Sequence, residues 1–166
     1  MSSVQQGLWL SLPVILGGLT HVVAIKKGVL SALTRLRLDG GVQLRGRDVF
    51  GENKTVRGAV VMVLATLFWT GVMDGLQTGL SLSDELRYIP KSQLGTLGLG
   101  LLLGGAYIAG ELPNSFIKRQ LDIAPGEAAS GSLSWLFWLV DQVDSAVAVL
   151  LVLCLVQPPN FQVYMV

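Results

Sequence analysis

Charge is scarce in this chain. Asp, Glu, Lys and Arg make up 14% of its 166 residues, where a soluble domain averages about a quarter. Cysteine and histidine occur once each. Cys154 lies in an apolar run, so it forms no internal disulfide and fits no zinc spacing. A single His21 excludes an H-E-x-x-H metal motif, and neither a Ser-His-Asp set nor a G-x-x-x-x-G-K-[ST] phosphate loop is present. His21 sits inside an apolar stretch and reads as a helix-packing residue. The net charge is +1 and basic patches interleaved with aromatics are missing, so nucleic acid is not an expected partner. No charged n-region precedes the first apolar stretch and no A-x-A site follows it. That stretch therefore reads as a retained span, not a cleaved signal peptide.

What is abundant is apolar. Hydrophobic residues make up 51% of the chain. A globule this small still needs a polar surface, so the excess calls for a bilayer. Residues 7–25 carry no charge and would cross roughly 28 Å as a helix, close to a hydrocarbon core. Further apolar stretches run over 58–80, 94–112 and 141–157. The expected fold is all-α: a polytopic transmembrane helical bundle of four spans, or five if Val29–Leu38 or Leu133–Val140 is embedded. The first of these two segments has the spacing of a short interfacial helix. The second reads as a re-entrant piece. The chain is expected to form one integral membrane domain, with polar loops over 26–57 and 113–132.

Those two loops hold ten of the twelve Lys and Arg residues. Both fall on one side if the spans alternate, and the positive-inside rule makes that side the cytoplasm. The expected location is a cell membrane, crossed several times, with the N-terminus outside and the site facing the cytoplasm. Glycines at 95, 98, 100, 104, 105 and 110 in the third stretch would permit close helix contact, including between two copies in a homodimer. Asp74 is expected at the opposite interface, and Asp39, before two glycines, reads as a turn former.

Three polar clusters flank these spans. The first is Gly51-Glu52-Asn53-Lys54-Thr55-Val56-Arg57-Gly58. Lys54 and Arg57 would share a helical face beside a helix N-terminus, a place that suits phosphate; an ordinary positive-inside anchor would look the same. The second is Glu111-Leu112-Pro113-Asn114-Ser115-Phe116-Ile117-Lys118-Arg119. Here a carboxylate in apolar surroundings needs a cation or metal, while Ser115, Lys118 and Arg119 offer phosphate contacts. Asn114 or Ser115 would alternatively cap a short helix. The third is Asp141-Gln142-Val143-Asp144. Its two carboxylates, one turn apart, repel unless a cation sits between them, either Mg²⁺ or a Lys or Arg of a neighbouring helix.

Together these strings resemble the CDP-archaeol synthase family. Asp39-Gly40-Gly41…Phe50-Gly51-Glu52-Asn53-Lys54-Thr55-Val56-Arg57-Gly58 is similar to its first cytoplasmic motif. Glu111 to Gly126 is similar to its S-F-x-K-R-x-L-x-I-x-P-G stretch, and Asp141-Gln142-Val143-Asp144 to its D-Q-x-D pair. Glu111 stands where the family often has Asp, and Val56 where an aromatic is common. The resemblance implies a relative of the phosphatidate cytidylyltransferases. Such an enzyme uses CTP and a membrane lipid phosphate, with Mg²⁺, to form a CDP-lipid and pyrophosphate. It implies Lys54, Arg57, Lys118, Asp141 and Asp144 as catalytic residues. Asn53, Lys54, Thr55, Arg57, Ser115, Lys118 and Arg119 would be phosphate contacts. Asp141 and Asp144, with Glu111, would be metal ligands. Two other readings stay open on the residues alone: a lipid-phosphate binding or translocating protein, and a CTP-dependent polyprenol kinase.

Overall fold

A computed structural model describes residues 3–81, 95–132 and 134–156, with side chains from residue 8 onward. The polar connection after Ser81 and the tail after Pro158-Pro159 lie outside the described residues. Four helices run α1 Ser3–Lys26, α2 Val56–Gly79, α3 Gly95–Gln120 and α4 Ser134–Val156. Each is long and apolar enough to cross a bilayer. Their outer faces carry large apolar side chains at exposures water would not tolerate over so wide an area: Phe68 62%, Leu97 70%, Leu155 83%. Such a surface needs hydrocarbon around it.

The helices pack in chain order, α1 on α2, α2 on α3 and α3 on α4. Small residues set the α2–α3 spacing. A Cβ on Gly100 would stand 2.8 Å from Leu67 Cα, and one on Gly104 2.8 Å from Val63 Cα. Backbones approach this closely only where one side has no side chain. Gly110 makes the same approach to α4, 2.8 Å from the Asp144 carbonyl oxygen. The close contacts of these three glycines are thus made inside the chain, not between copies. The core joins Leu10, Met73, Leu99, Leu103, Ala106, Val149 and Leu153 from all four helices. At the far end of the bundle Thr96 donates to Asp74 (2.7 Å), tying α3 to α2.

Three expectations are corrected. Val29–Leu38 is not an interfacial α-helix. Gly28 and Leu30 take left-handed φ angles of +69° and +54°, which break the helical path, and only a 3₁₀ turn forms at Ser31–Arg35. The third helix does not stop before Pro113. Proline removes the amide that would bond to Ala109, yet α3 continues for two more turns. The reason is packing: Asn114, Ser115, Lys118 and Arg119 are all buried on one face of that extension. Nor is there a re-entrant piece before Asp141, because α4 is continuous from Ser134. Asp141 and Asp144 therefore lie two to three turns inside their helix. Trp135 and Trp138 near its start are 63% and 65% exposed, as in the aromatic belts at membrane interfaces.

The loop between α1 and α2 is compact. β1 (Gln43–Leu44) and β2 (Arg47–Asp48) form an antiparallel hairpin. Leu36 and Leu38 then bond in extended fashion to Val56 and Lys54 (both 2.8 Å). Asp39 sits at the centre with its side chain 1% exposed. It accepts from the amides of Gly41 and Phe50 (both 2.9 Å) and Gly51 (3.1 Å) and pairs with Arg37 (3.1 Å). Burial pushes its carboxyl up, but the three amides and Arg37 outweigh that and hold it below the ordinary carboxylate range. Arg47 reaches across to Asp122 and the Gln120 carbonyl, latching the hairpin to the end of α3.

Candidate active site

The extension of α3 past Pro113 carries the site. Asn114 and Lys118 are four residues apart, so they share a face, and that face meets α4. Asn114 Nδ2 donates to both Asp141 Oδ1 (2.6 Å) and Asp144 Oδ2 (3.1 Å). Lys118 Nζ pairs with Asp141 at 2.5 Å. Asp144 also accepts from the Ser145 amide (2.6 Å), which fixes its rotamer. The two carboxylates therefore sit one turn apart, joined by the Asn114 amide, with the Lys118 ammonium on Asp141. Asn114 was outside the expected site, since it read as a helix cap. Its spacing from Lys118 would have revealed it, had the helix been carried through the proline.

Glu111, one turn earlier, pairs instead with Lys54 from the loop before α2. Among the described residues no three acidic, His or Cys side chains gather as a metal group. Lys54 balances the charge of Glu111, and Glu111 lines the same cavity as Asp141 and Asp144. Asp141 and Asp144 alone fit Mg²⁺ by donor chemistry. Both offer carboxylate oxygens, and Mg²⁺ is commonly bound through one or two carboxylates with waters and substrate phosphates completing the shell.

Thr55 and Arg57 are engaged by backbone groups. Thr55 Oγ1 accepts the Gly58 amide (3.2 Å) and is the N-cap of α2. Its hydroxyl is thereby engaged in capping. Arg57 is 7% exposed and points at the end of α1. Its Nε donates to the Val29 carbonyl (2.8 Å), and its Nη2 to those of Ile25 (3.0 Å) and Ala24 (3.1 Å). The Ala24 and Ile25 carbonyls already accept the Val29 and Gly28 amides, so Arg57 adds a second donor to each and binds the turn after α1 through Val29. Arg57 thus ties α2 to the end of α1, and it also lines a cavity beside Lys54 and Glu111.

Arg119 is the opposite case. It is also 7% exposed, yet its Nε and Nη1 have no partner among the described residues. A buried guanidinium with free donors is costly unless an anion arrives. The chain closes tightly over it at Gly51, whose φ of +93° suits glycine. A Cβ there would come within 3.2 Å of Arg119 Cδ and Pro125 Cγ. Asn53, Lys54, Ser115, Lys118 and Arg119 line one cavity of about 240 Å³ together with Glu111, Asp141 and Asp144. A second cavity of about 420 Å³ opens beyond Lys54 and Glu111, bounded by His21 and Arg57.

Four apolar helices, with a cavity of paired carboxylates and cations between α3, α4 and their neighbouring loops, define a polytopic membrane protein. The chain belongs to the CarS-like family of CDP-archaeol synthase, whose sequence model matches residues 5–165. It is 32% identical over 128 residues to the CDP-archaeol synthase of Methanopyrus kandleri, covering 75% of this chain and 61% of that protein. With that of Pyrococcus furiosus it shares 34% over 128 residues, covering 76% and 61%. With that of Halobacterium salinarum it shares 30% over 123 residues, covering 73% and 60%. The chain thus spans about 60% of the length of these relatives. A solved structure of an intramembrane enzyme for archaeal membrane lipids biosynthesis has the same fold. Its TM-score is 0.59 at 24% identity, over 88% of this chain and 74% of the other.

Proposed function

We propose that this protein is a CTP-dependent lipid-phosphate cytidylyltransferase, joining a lipid phosphate to CMP and releasing pyrophosphate. The observation that carries the reading is the small cavity. It holds buried cations, one of them with free donors, against two α4 carboxylates bridged by Asn114 of α3, in a chain of the CDP-archaeol synthase family. A phosphate oxygen of the lipid attacks the α-phosphorus of CTP. The new bond is lipid O–Pα, the bond broken is Pα–O to the β-phosphate, and pyrophosphate leaves with the electron pair. The nucleophile is already an anion, so no general base is needed.

The barrier is then one of charge. Arg119 offers its free Nε and Nη1 to a phosphate, and Lys118 an ammonium that can turn from Asp141 to an incoming oxygen. Lys54 stands between the two cavities, balanced by Glu111, and Asn53 and Ser115 supply neutral contacts. Asp141 and Asp144 would hold Mg²⁺, which when bound supplies charge neutralisation for the phosphates. Asn114 keeps the two carboxylates in register. Arg57 and Thr55 position the cationic loop and do not touch substrate. The positive-inside rule, applied to the basic loops, supports a site on the cytoplasmic side, where water-soluble CTP would meet a lipid.

The test is purified protein in detergent with CTP labelled at the α- or the γ-phosphate, Mg²⁺ and three lipid phosphates: phosphatidic acid, its ether-linked archaeal counterpart and a polyprenyl phosphate. α-Label should move into lipid with release of pyrophosphate, and Asp144→Asn should abolish the transfer. Transfer of γ-label would make it a kinase. Lipid-phosphate binding without transfer of either label would make it a binding or translocating protein.

A further inference from the structure

Between the last turn of α1 and the hairpin runs a short hook, Lys26 to Leu38, that contains no acidic residue. Lys26, Lys27 and Arg35 are exposed, and none of them is in an ion pair among the described residues. Beside them Val29, Leu30 and Leu36 are 45%, 44% and 52% exposed. Both ends of the hook are tied to helix ends. Arg57, in the first turn of α2, donates to the Val29 carbonyl (2.8 Å). The Leu36 carbonyl accepts the Val56 amide, and the Leu38 amide donates to Lys54 (both 2.8 Å). The hook is thereby held at the end of the bundle where α1 stops and α2 starts, the depth at which a span meets lipid headgroups. The exposed Trp135 and Trp138 stand at the same end, at the start of α4.

We infer that this hook is a docking surface for the anionic headgroups of the surrounding leaflet. Charge complementarity carries it: the three cations lack a carboxylate from this chain, and headgroup phosphates supply the missing charge. The apolar side chains choose the partner. Nucleic acid or a free phosphate would satisfy the cations but leave Val29, Leu30 and Leu36 in water. A lipid surface takes both, with the cations among the phosphates and the apolar groups below them. The left-handed turns at Gly28 and Leu30 let so short a segment stay at this level instead of carrying α1 on into water. A Lys or Arg at such a surface strengthens anionic-lipid binding about fivefold, and salt screens the gain. The hook also overlies the cavity of about 420 Å³, whose lining includes its Thr34 and Leu38. One consequence rests on the reading above that the substrate is a lipid phosphate: the hook gathers that anionic lipid beside the site without touching the reacting atoms.

Phosphatidylglycerol is the probe, because its phosphate is a diester and does not enter the proposed transfer. Whole protein in phosphatidylcholine bilayers, with chain-spin-labelled phosphatidylglycerol or phosphatidylcholine, is read by electron paramagnetic resonance. The wild type should hold the anionic lipid preferentially, and about 1 M salt, with a Debye length of ~3 Å, should erase the preference. Lys26→Gln, Lys27→Gln and Arg35→Gln combined should cut it about twofold or more, since the signal averages over every lipid around the bundle. Arg45→Gln, which removes an exposed cation at the hairpin tip, should leave it unchanged. An unchanged preference in the triple variant, or an equal loss in Arg45→Gln, would overturn the inference. A second measurement removes no charge. A nitroxide at Val29→Cys, in Cys154→Ser protein, should collide with oxygen and a water-soluble nickel chelate as a label at headgroup depth does. Collision with the chelate as in a free aqueous loop would overturn the inference. In the transfer assay the triple variant should raise KM for the lipid phosphate while kcat and KM for CTP stay unchanged; an unchanged lipid KM would overturn the gathering role. No transfer by wild-type protein, with the phosphatidylglycerol preference intact, would remove the cytidylyltransferase reading alone.

Discussion

Replacing Arg57 by Met separates a strut from a phosphate clamp. The substitution keeps most of the apolar stem and removes the guanidinium from two carbonyls at the end of α1 and one in the turn that follows. A hydrogen bond from a charged donor contributes about 1.5 kcal/mol or more, so three give ~4.5 kcal/mol. Water reaching the freed carbonyls returns part of that, leaving a loss of about 3 kcal/mol, or roughly a hundredfold in the folding equilibrium. Unfolding in mixed micelles by SDS titration, followed by far-UV circular dichroism, reads this directly. Arg57→Lys should recover only part of the loss, because one ammonium does not reproduce the fork of the guanidinium. CTP affinity of the folded fraction should change little. If Arg57→Met unfolded like the wild type while losing CTP binding, the strut would be refuted and the clamp restored.

Other outcomes follow from the same geometry. Asp39 has a carboxyl held low in the fold, so its stabilisation is complete above the unfolded value near ~3.9. It is lost as pH falls through the lower folded value. Amide exchange at Phe50 and Gly51 should stay slow down to the ordinary carboxylate range and accelerate below it, and Asp39→Asn should make it fast at neutral pH. Gly110→Ala would force a methyl against the Asp144 carbonyl. Transfer should fall at least tenfold while α-helix content is unchanged, and retained activity would show that α4 can shift freely. Lys118→Met removes the ammonium paired with Asp141. Mn²⁺ binding, read by electron paramagnetic resonance, should tighten while CTP binding weakens; loss of both would mean that Lys118 only holds Asp141 in place.

Composition carries the bundle because a bilayer span is a property of a whole run of side chains. Runs such as 7–25 announce themselves without reference to neighbours. Helix ends do not. Pro113 is a breaker by local rules, and the packing of Lys118 and Arg119 that overrides it belongs to another helix. Asp141 looked like a beginning because it is the first charge after Ser134, although the helix had already run two turns. Types of residue pointed to the charged cavity, and their partners sorted them. Lys54, Lys118 and Arg119 meet Asp141 and Asp144 in one space. Thr55 and Arg57 sit as near in sequence but are engaged by backbone groups. Asp39 read as a turn residue, and its burial at the centre of the loop depends on contacts up to twelve residues away.

The ion pairs across the bundle also bear on how the chain is made. A lone charge on a helix is expensive in lipid until its partner arrives. Lys54, just before α2, finds Glu111 on α3, and Lys118 on α3 finds Asp141 on α4. Lys54 finds its partner when the α2–α3 hairpin closes, and Lys118 finds its partner on the following helix. Neutralisation can proceed hairpin by hairpin during insertion, and the charged cavity is complete only when α4, the last of the four, has been threaded.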